Sequence, residues 1–454
     1  MKEESIRFIL IRFQLFLTIT SIAIYVVGIG YQHILSQNSL EIVYVVSFLF
    51  IVFTSLKFFP TISAFNLFLL GYFMFQVSAV IFSYSTINER ELMQTHFYFS
   101  SDVICKTLEA NLVVLNSIYL GALFYMPSSN PKILFQYNPS VERLGLFLIF
   151  GSLPLTLYKF WLEISLISSQ GYYAYYTNSL NIPFYISIFR VLFEFGYFIF
   201  VSSYPSKKVF KRISLIYLLV ISLFFLVGVR NRVILSILFV IWVYYRFYTN
   251  KSPKLLIIGA IAFIGIFVLL LVQYIRQAGI FTIVDNRSLI SYFFFAQSTN
   301  FYVLPLVQYF DLEQTIPYLF TPIFQLVSGF FSPDSDINLL GNDVAYHISP
   351  TGFYQGQGIG SSFIAEIFPL GLLGLVIIPF IMGLSTGYFE KSAAKYRSVF
   401  AISFYFITNC VYISRSSLFR NVTLAVIFLV IYILFIKRIN WKHLIPKLKI
   451  RINS

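Results

Sequence analysis

Charge is what this chain has least of. Only 11% of its 454 residues are Asp, Glu, Lys or Arg, while 58% are hydrophobic. A soluble domain carries roughly 25% charged residues, so a water-soluble core is excluded. Cysteine is almost absent: Cys105 and Cys410 lie in apolar sequence and make neither a disulfide framework nor a metal site. Metal-ligand spacing, a Gly-x-Ser-x-Gly elbow and a P-loop are all missing. The run Gly356-x-Gly358-x-Gly360 has no strand–turn–helix unit around it, so it is not a dinucleotide fingerprint. No metal and no cofactor are therefore expected. There is no internal repeat and no soluble domain. The first apolar run contains Arg7 and Arg12 with no small-residue cleavage site after it, so it reads as a retained first span.

What is present fits an all-α polytopic integral membrane protein. Taking about twenty apolar residues per crossing gives about twelve transmembrane helices. They are expected at 13–30, 39–58, 61–83, 104–126, 143–163, 184–203, 213–229, 232–248, 255–275, 360–385, 398–414 and 418–437. The chain then divides into helices one to nine (1–275), a long outer loop (276–359), and helices ten to twelve with a basic tail (360–454). The loop is the one long break between apolar spans, and a loop of that length is commonly a working part. Its stretches Ser288 to Phe310 and Thr315 to Phe331 are aromatic and interrupted by Pro305, Pro317 and Pro322, which predicts short helices at the membrane interface.

The basic residues set the orientation. With both termini in the cytoplasm, 22 of the 32 lysines and arginines fall inside and the long loop lies outside, as the positive-inside rule requires. The net charge of +14 is thus mostly an orientation signal and implies no nucleic acid. Lysine makes up 14 of the 22 inner residues but only 2 of the 10 outer ones. Topology needs only positive charge. A preference for arginine implies recognition, because its planar fork grips phosphate and carboxylate through paired hydrogen bonds.

Four segments bring such arginines to the outer face. Arg230 and Arg232 lie in Gly228-Val-Arg-Asn-Arg232, Arg276 ends the ninth span, Arg287 follows it, and Arg415 and Arg420 flank the last outer turn. They are candidates for binding a polyanion; snorkelling to lipid headgroups is the plainer alternative. Glu366, inside the tenth span, has no basic residue within four positions. It needs a partner from another helix, and an outer arginine is the obvious one. Elsewhere, Arg190–Glu194, Lys159–Glu163 and Asp102–Lys106 have the spacing of structural pairs on one helix face. Asp343 and His347 are candidate general bases, with an exposed loop histidine as the plainer reading. Gly358 and Gly360 would let backbone approach an anion at a helix N-terminus. Tyr172 and Tyr173, in Gly171-Tyr-Tyr-Ala-Tyr-Tyr176, are either interfacial anchors or sugar-stacking rings.

Two stretches resemble the O-antigen and oligosaccharide repeat-unit polymerase (Wzy) family. One is Gly358-Ile-Gly-Ser-Ser-Phe-Ile-Ala-Glu366 followed by Gly371-Leu-Leu-Gly374; the other is Gly228-Val-Arg-Asn-Arg232 opening a span. The resemblance implies a glycosyltransferase of polysaccharide biosynthesis (lipopolysaccharide or capsule) in the bacterial cytoplasmic membrane. Its donor and acceptor would be oligosaccharides on undecaprenyl pyrophosphate, and a chain-length regulator protein would be a further partner. Catalytic roles would fall to Asp343, His347 and Glu366, and pyrophosphate binding to the outer arginines. Two alternatives stand beside it: a flippase for lipid-linked oligosaccharides, and a transferase like the O-antigen ligases. A flippase should carry charge through the bundle midplane and often has repeat-related halves, whereas here charge concentrates at the outer mouth.

Overall fold

The structure, a computed structural model, describes residues 2–30, 33–83, 87–126, 131–170, 183–249, 253, 265, 289–312, 318–323, 339–354, 357–419 and 422–434. In chain order the helices are α1 (Lys2–Gly30), α2 (Gln37–Phe58), α3 (Ala64–Ile81, with a π turn at Phe73–Val77) and α4 (Ser101–Phe124). Then come α5 (Pro139–Gln170), α6 (Phe184–Ser202), α7 (Lys207–Ser222) and α8 (Arg230–Val243). The loop region contributes α9 (Leu289–Gln297), α10 (Val303–Tyr309), α11 (Leu340–Ile348) and α12 (Pro350–Tyr354). The chain ends with α13 (Phe363–Lys395), α14 (Arg397–Ala401), α15 (Ser403–Tyr412) and α16 (Val422–Tyr432).

The protein is a largely helical polytopic membrane protein. Among the described residues six helices are long and apolar enough to cross a membrane: Ser5–Gly30, α2, α3, α4, α5 and α13. The span expected at 255–275 lies outside the described residues except for Gly265. The segments expected at 213–229, 232–248 and 398–414 are interrupted by 3₁₀ or π turns at Leu223–Phe225, Tyr244–Tyr248 and Ile413–Arg415. Among the described residues one hairpin is not helical. Strands β1 (Glu89–Leu92) and β2 (Thr95–Tyr98) pair antiparallel, with Glu89 opposite Tyr98 and Leu92 opposite Thr95.

The chain forms two compact units, interleaved along the sequence. Unit 1 comprises residues 1–131, 244–391 and 407–420; unit 2 comprises 132–243, 392–406 and 421–454.

In unit 1, α4 is buried along nearly its whole length. Buried residues run through every turn from Ile104 to Leu123, which marks a helix enclosed by others. The polar residues it carries inward are bonded to neighbouring helices. Asn116 accepts from Gln14 Nε2 at 2.8 Å and donates to Ser21 at 2.9 Å; Asn111 accepts from the Tyr72 hydroxyl at 3.0 Å; Tyr119 donates to Thr54 at 2.7 Å. Such bonds hold membrane helices together where hydrophobic burial cannot distinguish protein from lipid. Small residues allow a close crossing of α4 and α13. A Cβ on Gly121 would lie 2.0 Å from the Phe380 carbonyl oxygen, and one on Gly383 1.9 Å from that of Ile118. Helices α2, α3 and α4 each begin after a serine whose hydroxyl accepts from a first-turn amide: Ser36, Ser63 and Ser100. Outward, α1 and α2 present Phe8, Phe16 and Phe53 as exposed apolar side chains.

A buried ion pair not anticipated from the sequence lies in the same unit. Arg246 Nη2 meets Glu390 Oε2 at 2.5 Å, and Glu390 Oε1 accepts from the Ala64 amide at 2.6 Å.

Candidate active site

The Gly358–Glu366 stretch folds into a polar knot in unit 1. Gly360 has φ +82°, a left-handed conformation that glycine tolerates best. It also has no room for a side chain: a Cβ would lie 2.7 Å from Asn300 Nδ2 and 3.1 Å from the Arg415 carbonyl oxygen. Asn300 clamps the turn from the far side, donating from Nδ2 to the carbonyls of Ile359 and Ser361, both at 2.9 Å. The Ser361 amide donates to the Arg415 carbonyl at 3.2 Å. Gly358, by contrast, is exposed with open space where its Cβ would be. Of the two glycines, only Gly360 is required for close packing.

Arg415 projects from this knot half-buried. Its Nη1 donates to Gln297 Oε1 at 2.9 Å, and its guanidinium carbon sits 5.5 Å from the centroid of Phe75. Gln297 ends α9, and the 3₁₀ turn Ser298–Tyr302 that follows carries Asn300. One polar run, Gln297-Ser-Thr-Asn300 inside an aromatic segment, thus supplies both contacts. That run was the readable signal for them in the sequence.

Glu366 differs from expectation. It is only 2% exposed, and its carboxylate accepts from Ser361 Oγ (3.1 Å), Ser417 Oγ (3.1 Å) and the Leu418 amide (3.0 Å). Among the described residues no basic group forms an ion pair with it. The expected arginine is replaced by neutral donors, and Glu366 reaches Arg415 only through the turn that carries it. Gln76 braces the same turn, donating to the Ser414 carbonyl at 2.9 Å.

Helix α11 packs directly on the knot. A Cβ on Gly341 would lie 2.4 Å from the Gly360 carbonyl oxygen. This helix carries Asp343 and His347 on successive turns. Asp343 is half-buried and accepts from the Tyr318 hydroxyl. His347 is exposed, with Nδ1 2.8 Å from the Asp343 carbonyl oxygen. A carbonyl can only accept, so Nδ1 is the donor of this bond and Nε2 is the ring nitrogen it leaves free. A second anchored arginine is Arg90 of β1. It is buried, donates to the Phe295 carbonyl at 2.6 Å and lies 3.6 Å from the centroid of the Phe295 ring. Burial pushes the neighbouring Tyr302 phenol up to about 12, against the opposing pull of the Arg90 guanidinium 5.3 Å from its ring centroid.

In unit 2, Arg230 and Arg232 open α8, Arg230 half-buried and Arg232 exposed. The helical pairs expected there are partly exchanged. Arg190 bonds both oxygens of Glu163 (2.9 and 3.2 Å), whereas Glu194 accepts from Arg232 at 2.9 Å. Both guanidiniums approach the Phe224 ring, at 5.1 Å for Arg190 and 5.4 Å for Arg232. The expected Lys159–Glu163 (3.8 Å) and Asp102–Lys106 (2.8 Å) pairs are present. Arg276, Arg287, Arg420, Tyr172 and Tyr173 lie outside the described residues. Among the described residues no group of three or more His, Cys, Asp or Glu could hold a metal ion.

The family model for O-antigen polysaccharide polymerase Wzy matches residues 7–443, nearly the whole chain. The chain belongs to the Wzy family. No curated protein and no solved structure matches it significantly. Within this Wzy protein the two stretches that carried the resemblance fall in different places. Gly358–Glu366 forms the knot of unit 1, and Gly228–Arg232 opens α8 of unit 2. Gln297, Asn300, Gln76 and Arg90 are the residues that sequence reasoning missed at this site.

Proposed function

We infer that this Wzy family protein polymerises oligosaccharide repeat units carried on undecaprenyl pyrophosphate at the outer face of the bacterial cytoplasmic membrane. The reading rests on family membership together with one observation. Arg415, fixed by Gln297, stands on a knot against which the helix bearing Asp343 and His347 is packed. In the reaction, an acceptor hydroxyl oxygen forms a bond to the anomeric carbon of the donor glycan. The bond from that carbon to the pyrophosphate oxygen breaks, and the pyrophosphate leaves with both electrons. The hydroxyl proton passes to a base, His347 Nε2 or the Asp343 carboxylate. Charge develops on the departing pyrophosphate, where fixed donors lower the barrier most. Arg415 supplies such a donor fork; Arg230, Arg232, Arg276, Arg287 and Arg420 are assigned to pyrophosphate binding from sequence alone. Glu366 acts as a positioning residue for the Arg415 turn, because all three of its hydrogen bonds go to protein.

The test is the phenotype of cells lacking the protein. They should accumulate lipid carrier bearing single repeat units on the outer leaflet, or surface glycan one unit long. Single units retained on the cytoplasmic leaflet would make the protein a flippase. Normal polymer joined to no lipid A or other acceptor would make it a ligase.

A further inference from the structure

Three short elements of the region between the spans place aromatic rings in unbroken contact. Tyr309 and Phe310 close α10, with centroids 5.2 Å apart. Phe310 meets the His347 ring of α11 at 5.5 Å. His347 meets Tyr346 at 6.1 Å, and Tyr346 meets Phe353 and Tyr354 of α12 at 5.9 and 6.1 Å. These rings are not a core. Tyr309, Tyr346 and Tyr354 are 61%, 43% and 72% exposed. A tyrosine that packs into protein hides most of its large surface, so three exposed in one continuous track are a surface built for contact.

Two occupants suit exposed tyrosines: a lipid headgroup layer or a sugar. The neighbours favour the sugar. His347 interrupts the track, Asp343 lies one turn away on the same helix, and the exposed side chains of Asn342 and Asp311 flank it. A pyranose has an apolar C–H face that stacks on a ring and a rim of hydroxyls that need donors and acceptors. A row of rings interleaved with imidazole, amide and carboxylate groups supplies both. A membrane anchor needs no carboxylates among its rings. The middle of the track also adjoins the catalytic elements, since α11, which carries Tyr346 and His347, packs on the Gly360 turn.

We propose that the track from Tyr309 through His347 to Tyr354 is a glycan-binding platform that holds the sugars of a substrate by stacking while Arg415 holds its pyrophosphate. This rests on the reading of the protein as a transferase of lipid-linked glycans, and it adds a subsite for the saccharide itself.

The probe is the repeat-unit oligosaccharide released from the cell's own lipid carrier by mild acid, which removes both lipid and pyrophosphate. The full-length protein in nanodiscs is titrated with it, and binding is read by saturation-transfer NMR of the sugar protons. Wild-type protein should transfer saturation to the sugar C–H protons. Tyr346→Leu and Tyr354→Leu should each weaken binding about two- to ten-fold, the range for one aromatic contact. Tyr346→Trp and Tyr354→Trp, which keep a stacking face, should bind like wild type. Leu variants that bind the released glycan normally would overturn the proposal. So would an absence of saturation transfer to wild-type protein, or Trp variants as weak as the Leu variants. Leu variants that bind glycan normally yet melt lower than wild type in anionic but not in zwitterionic nanodiscs would identify a lipid headgroup contact instead and overturn the proposal. Failure of the transferase reading shows separately, in a deletion strain that accumulates no single repeat units.

Discussion

Glu366 offers the sharpest separation of two roles that a carboxylate can play. Its Oε2 accepts from the Leu418 amide and Ser417 Oγ, and its Oε1 from Ser361 Oγ, all within 3.0–3.1 Å. In Glu366→Gln the amide oxygen can face Leu418 and Ser417. The new NH₂ can then donate to Ser361, because a hydroxyl also accepts. All three contacts survive, and only the charge-assisted surplus is lost, about 1 kcal/mol. Glu366→Ala removes every acceptor. The buried Leu418 amide is left unsatisfied, at about 1–3 kcal/mol, and a cavity opens beneath the Arg415 turn, so a total of roughly 2–5 kcal/mol is expected. A positioning residue therefore predicts near-normal polymer from the Gln variant and little from the Ala variant. A general base predicts that both variants are inactive, since neither Gln nor Ala can take a proton and a lost base costs about 10²–10⁴-fold. The assay is polymerisation of lipid-linked repeat units by purified protein in nanodiscs, read as a gel ladder beside thermal unfolding. A Gln variant that melts like wild type but is as inactive as Ala would refute the positioning argument. An Ala variant with full activity and unchanged melting would refute the hydrogen-bond geometry itself.

Arg415→Lys keeps the charge but loses the fork that binds Gln297; activity should fall about ten- to a hundred-fold, matching a lost charge-assisted contact of roughly 1.5–3 kcal/mol. A fully active Lys variant would reduce Arg415 to a headgroup contact. Gly360→Ala should destabilise by about 1–3 kcal/mol through its left-handed backbone alone, and should displace Asn300; unchanged thermal unfolding would contradict the turn. Arg246→Met removes the cation from the buried Glu390 carboxylate and should cost about 3–5 kcal/mol, with most of it recovered when Glu390→Gln is added, because Gln still accepts from Ala64. Equal unfolding temperatures for the single and double variants would show that the pair is not coupled. A cysteine in place of His96, on the exposed strand β2, in protein lacking Cys105 and Cys410, should react with an impermeant thiol reagent in outer-permeabilised cells. Labelling only after lysis would invert the orientation and remove the outward-facing chemistry.

Much of this protein is written locally. The scarcity of charge made it a membrane protein, because apolar runs of that length have no other stable solvent. The glycines of the Gly358–Glu366 stretch were readable as places where backbone approaches something closely, but the sequence named an anion, whereas the groups found against Gly360 are Asn300 and the Arg415 carbonyl. The i,i+4 pairs Asp102–Lys106 and Lys159–Glu163 formed because helix geometry alone puts those side chains side by side. Partner choice was different. Arg190 had Glu194 within its own helix and took Glu163 of α5 instead. Glu366 found two serines and an amide where an arginine was expected, and Arg415 found Gln297, 118 residues away in the chain. Strands β1 and β2 escaped notice because a four-residue strand leaves too little alternation to read. The same holds for the exposed aromatic track. Each of its rings is an ordinary residue of a short loop helix, and only the packing of α10, α11 and α12 lines them up. Local propensity and periodicity depend on neighbours a few residues apart and are legible in sequence. A hydrogen-bond partner or a stacked ring depends on which distant segments share a volume, and that is decided only when the chain has folded.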